Sequence, residues 1–194
     1  NRQWITIGWA LEAAAVWWLF GRLPHPGLKY LGLALFSAVG VRLLANPAVL
    51  RYEPRGRVIL NWLLYTYAVP ALACLVGAMW LRRAEARRGE SPQFDYVARD
   101  REIPAAFVAF VGLLLIFWLI NLEIADFYSV GRYVELDLSR HLQRDLTRSF
   151  AWGLYAITLL VLGMWRGQRA LRLVSLGFLM LTAGKVFLYD LGQL

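Results

Sequence analysis

The chain has 194 residues, 59% of them hydrophobic and 14% aromatic, with a mean hydropathy of +0.49. That balance excludes an ordinary water-soluble domain. The formal net charge of +8 would point to nucleic acid in a soluble protein, but the arginines here flank apolar runs, which is the pattern of a multi-pass membrane protein. A single Cys rules out a disulfide framework and a multi-Cys metal site within this sequence, and no cofactor motif is present.

Six apolar runs recur along the chain: Trp4 to Gly21, Leu28 to Asn46, Ile59 to Leu81, Ile103 to Glu123, Ser149 to Trp165 and Leu173 to Asp190. A hydrocarbon core of about 30 Å takes about 20 residues of helix, and the runs are continuous rather than alternating, so they predict helices and not barrel strands. The expected fold is an all-α polytopic bundle of about six membrane-spanning helices, in a single domain that forms one portion of a longer protein. Of the 34 charged residues, six lie inside these runs.

In chain order, Leu23-Pro24-His25-Pro26-Gly27 closes the first hairpin and Asn46-Pro47 stops the second helix. Pro70 sits within the third span, where it removes one backbone hydrogen bond and is expected to kink the helix. Cys74 reads as a small apolar filler, and Asn61 and Asn121 as helix-to-helix joints. Tryptophans mark the interfaces: Trp4, Trp62 and Trp118 toward one end of their spans, and Trp17, Trp18, Trp80 and Trp165 toward the other. Small residues four apart, Ala10 with Ala14, Ala34 with Ala38 and Ala73 with Gly77, predict close helix approach.

The connector 82–102 is rich in Arg, Glu, Gly and Ser and reads as a solvated loop, with Arg82, Arg83, Arg87 and Arg88 as candidate contacts for anionic lipid headgroups. The connector 125–148 mixes Phe127, Tyr128, Val130, Tyr133 and Leu136 with charges and should pack against something. Beyond Ser139, a candidate N-cap, Leu142, Leu146 and Phe150 recur every four residues, so a helix is expected to start before the membrane and run into span five. His141, Arg140, Arg144 and Asp145 would lie on or around it, and a lone His there reads as a surface residue.

With the N-terminal side called A and the other B, side B carries ten connector arginines and side A eight. The positive-inside rule then places B, with loop 82–102, in the cytoplasm. A shift of 143 residues lays Trp9 on Trp152, Lys29 on Arg172 and Arg42 on Lys185, which predicts a parallel hairpin repeat of 4–46 and 149–190.

Glu12, Arg42, Glu123, Asp126, Lys185 and Asp190 form a candidate polar cluster toward side A. A charge at the centre of a membrane helix costs roughly 2.5 to 3.5 kcal/mol, so Glu12 should find a partner, and Arg42, about 7 Å away along the normal, is the best placed. The cluster is either structural or a vestibule for a headgroup, a glycan precursor or an ion. Three readings stay open: a non-catalytic envelope component or subunit, a transporter, and a lipid or glycan transferase. The expected partners are membrane lipids, further helices of a longer chain and other membrane subunits, not nucleic acid.

Leu43-Leu44-Ala45-Asn46-Pro47-Ala48-Val49-Leu50, Leu60-Asn61-Trp62-Leu63-Leu64-Tyr65-Thr66-Tyr67, Arg144-Asp145-Leu146-Thr147 with Ser149-Phe150-Ala151-Trp152, and Lys185-Val186-Phe187-Leu188-Tyr189-Asp190-Leu191 resemble the bacterial predicted membrane protein family known as domain of unknown function twenty-three thirty-nine. The resemblance spans nearly the whole chain. It implies a many-helix membrane protein and carries over no catalytic residues.

Overall fold

The computed structural model describes residues 2–23, 25–45, 61–88, 102–129 and 142–190. They form α1 (Arg2–Phe20), α2 (Pro26–Leu44), α3 (Trp62–Arg88), α4 (Glu102–Tyr128), α5 (Leu142–Trp165) and α6 (Arg169–Lys185), the last running into a π-helical turn, Val186–Asp190. No strand occurs among the described residues. Each of the six apolar runs corresponds to one helix. Among the described residues five helices are long and apolar enough to cross a membrane, and the apolar stretch of α1, Trp4–Phe20, is shorter. The protein is an all-α polytopic membrane protein. At 27 residues each, α3 and α4 extend about 40 Å and outrun the hydrocarbon core.

The chain divides into two compact units, one of residues 1–48 and 59–119, the other of 49–58 and 120–194. In the first unit α1 packs along both α2 and α3. Trp17 is its keystone. The ring is fully buried, lies 5.0 Å from that of Phe36 and donates its indole N–H to the backbone carbonyl of Lys29 at 3.0 Å. Gly32 and Gly77 leave room for it: a methyl group at Gly32 would run into the Trp17 indole, and one at Gly77 would meet the Phe36 ring at 2.7 Å. Trp17 therefore belongs to the core and not to an interfacial belt, whereas Trp18 is exposed and Trp4, also exposed, stacks edge-on against Trp62 at 5.3 Å.

The buried face of α2 is Lys29, Gly32, Phe36, Val39, Gly40 and Leu43. Ala34 and Ala38 are exposed on its other side, so the close approach expected of them is made by Gly32 and Gly40. Ala10, Ala14, Ala73 and Gly77 are buried as expected. On α3, Tyr67, Ala71, Cys74, Ala78 and Leu81 follow one stripe with spacings of four and three, all buried. Tyr67 donates its hydroxyl to the Leu43 carbonyl at 3.0 Å, tying the end of α2 to the start of α3. Pro70 lies inside α3, which continues through it; its missing N–H leaves the Thr66 carbonyl without the usual helical donor.

Helix α3 runs on to Arg88, so the first part of the expected loop 82–102 is helical; residues 89–101 lie outside the described residues. The segment Arg-Arg-Ala-Glu-Ala-Arg-Arg contains good helix formers, and a helix already nucleated continues through them at little cost.

In the second unit the last turns of α4 meet α5, and α5 packs along α6. As expected, α5 starts at Leu142, ahead of the apolar run; Ser139, Arg140 and His141 lie outside the described residues. The α5–α6 turn is a Schellman cap. Gly167 takes φ +64°, Gly167 N–H bonds to the Met164 carbonyl at 3.1 Å, and Gln168 N–H bonds to the Gly163 carbonyl at 2.9 Å. Tyr155 and Phe178 meet edge-on at 5.2 Å. Large apolar side chains remain exposed along both helices, among them Phe150, Leu154, Ile157 and Val161 on α5 and Leu173, Met180 and Phe187 on α6 and its π-turn.

Candidate functional site

Charges inside apolar helices are expensive, so their placement carries most of the chemical information in such a protein. In the first unit, His25 caps α2 by accepting the Gly27 N–H on Nδ1 at 3.2 Å, and Pro26 follows at the first helical position. That start puts Lys29 one turn into α2 on its buried face. The Lys29 ammonium lies 2.7 Å from Glu85 Oε1, with relative exposures of 2% for Lys29 and 11% for Glu85. A cation near a helix N-terminus and an anion near a helix C-terminus each oppose the local dipole. Set side by side on antiparallel helices, they neutralise each other and leave both termini without a net unfavourable charge.

This pair was not expected from the sequence, because Glu85 falls in a charge run that reads as loop. The usable signal is the α3 stripe: one further step of four from Leu81 lands on Glu85. Arg42 leans on α1 at Trp9, its guanidinium 5.5 Å from the ring centre. Glu12 is exposed, midway along α1.

In the second unit, polar groups from three helices converge. Lys185, at the end of α6, donates to Ser149 Oγ at 2.6 Å and to the Asp145 carbonyl at 3.3 Å, both on α5. Trp152 donates its indole N–H to Asn121 Oδ1 on α4 at 2.9 Å, so Asn121 is a helix-to-helix joint as expected. Asn61 caps α3, accepting the Leu64 N–H at 3.0 Å. Thr147 gives its own proton to the Gln143 carbonyl and therefore accepts one from the Tyr128 hydroxyl at 2.8 Å. Arg144 and Asp145 are 5% and 8% exposed, buried although they precede the apolar run of α5. Glu123 and Asp126, on the last turns of α4, are half-buried and engaged by neighbouring groups.

The six residues of the anticipated polar cluster thus fall into both units. Glu12 and Arg42 belong to the first, while Glu123, Asp126 and Lys185 belong to the second with Arg144, Asp145 and Ser149. Asp190 lies on the π-turn, and its side chain is outside what the structure describes. Of the candidate headgroup contacts, Arg83 and Arg87 are exposed on α3 and Arg82 is half-buried; the Arg88 side chain is outside the described set.

A helical chain with five helices long and apolar enough to cross a bilayer among its described residues is an integral membrane protein, and the comparison of sequences agrees. The family model described as Predicted membrane protein (DUF2339) matches residues 26–194, and the chain belongs to that family. No curated protein and no solved structure gives a significant match.

Proposed function

We propose that this protein is a non-catalytic structural component of a membrane assembly in the bacterial cell envelope, with its intramembrane charges serving to hold helices together. The observation that carries this reading is closure: Lys29 is spent on Glu85, and Lys185 on Ser149 and the Asp145 carbonyl. Glu12 supports a subunit role in a different way. Exposed midway along α1, its carboxylate would cost roughly 2.5 to 3.5 kcal/mol against lipid, and a neighbouring helix with a donor at that depth would relieve the cost. In this reading the α1–α2 turn and the end of α3 face the cytoplasm of an inner membrane, and the contacts of α6 are lipid or partner helices.

A second reading, transport through a charged vestibule, draws on the burial of Arg144 and Asp145 beside Lys185. Proteoliposomes loaded with a pH-sensitive dye and an ion indicator separate the two. The structural reading predicts fluxes equal to those of empty vesicles for the wild type, Glu12→Gln and Asp145→Asn alike. A wild-type flux that either substitution abolishes would replace it with transport.

A further inference from the structure

The end of the first unit that carries the α1–α2 turn holds exposed arginines on that turn and on α3. Gly21, in that turn, sits against α3: a methyl group built there would lie 3.9 Å from Ala84 Cβ. Arg22, the next residue, is exposed, with its guanidinium 5.2 Å from the centre of the exposed Trp18 ring. Ala84 stands between Arg83 and Arg87 in sequence, and both are exposed. Arg83 and Arg87 are four residues apart, so they project from one side of α3 as neighbours. Neither the turn nor α3 contributes any acid except Glu85, and Glu85 is turned inward onto Lys29 at 2.7 Å. The buried pair therefore draws the one acid of α3 inward, away from the rim. The positive charge of Arg22, Arg83 and Arg87 is left facing outward at the level of an indole ring, the depth at which tryptophan sits among headgroups.

We propose that Arg22, Arg83 and Arg87, with the face of Trp18, form a seat for the phosphodiester headgroup of an anionic phospholipid. Guanidinium groups bind a phosphodiester through paired N–H donors, and Trp18 holds Arg22 at the depth of the phosphate. The ligand is the lipid and not a free anion, because the seat stands at the mouth of apolar helices whose exposed side chains receive the acyl chains. This rests on the reading of these helices as membrane-spanning but not on which leaflet they face, nor on whether the protein is structural or a transporter.

Native mass spectrometry of the full chain in detergent, titrated with dioleoyl-phosphatidylglycerol and with dioleoyl-phosphatidylcholine, tests the seat. The wild type should bind the glycerol lipid more tightly. Arg83→Gln with Arg87→Gln should cut that preference by roughly fivefold per arginine, and Arg22→Gln by about the same factor. Arg166→Gln with Arg169→Gln removes equal charge from the exposed α5–α6 turn and should leave the preference unchanged. Excess inorganic phosphate should not displace the lipid. Equal losses in the two double variants, no loss in either, or displacement by phosphate would each overturn the proposal. The flux assay is independent of all three outcomes, so the seat and the structural reading fail separately.

Discussion

The two units treat charge in opposite ways. The first buries the ion pair Lys29 with Glu85 between two helices and packs aromatic rings against glycines. The second gathers polar and charged groups from α4, α5 and α6 and leaves much of its apolar flank uncovered. One unit is held mainly by shape, with the Lys29–Glu85 pair set into its packed face. The other is held at one end by hydrogen bonds and relies on lipid or other helices along its length. Substitutions should therefore be severe and local in the first unit, and milder and dependent on surroundings in the second.

The largest expected effect is loss of one member of the buried pair. Lys29→Met or Glu85→Ala leaves the other charge buried and should cost about 3 to 5 kcal/mol, read as a fall in the unfolding midpoint in detergent. Overpacking comes next. Gly32→Ala drives a methyl group into the Trp17 indole and should cost roughly 1 to 3 kcal/mol, visible in the same assay and as a change in tryptophan fluorescence. In the second unit, Lys185→Met removes a charged donor from Ser149 and should cost about 1.5 to 3 kcal/mol, with an effect that shrinks when lipid replaces detergent around α6. Gly167→Ala forces an L side chain into the left-handed region at the α5–α6 turn and should cost about 1 to 2 kcal/mol. An equal response of both units to a change from detergent to bilayer would break the contrast.

The spans were legible because continuous apolar runs fix helix number directly, and Pro26 and the Leu23–Gly27 breakers fix the first hairpin. What the sequence concealed is which face of each helix turns inward. Composition cannot tell a tryptophan at an interface from one in a core, so Trp17 reads as a belt residue although Gly32 and Gly77 make a slot for it. Alanines at spacing four look alike on either side of α2, and Ala34 and Ala38 are on the exposed side. Glu85 was hidden by its arginine neighbours, which suggest a loop unless the α3 stripe is followed past Leu81. Arg144 and Asp145 are buried by packing that no local pattern on α5 announces. Depth along the spans puts Glu123, Asp126 and Lys185 near one level, but the bond from Lys185 to Ser149 depends on how α5 meets α6.

A double-substitution cycle on Lys29 and Glu85 tests most directly that intramembrane charge here serves cohesion. Unfolding free energies would be compared for the wild type, Lys29→Met, Glu85→Leu and the pair combined, all in one detergent. If charge serves cohesion, each single change is strongly destabilising while the combined variant returns close to the wild type, because two apolar side chains can replace a buried pair at little net cost. Effects that simply add, within about 0.5 kcal/mol, would contradict it.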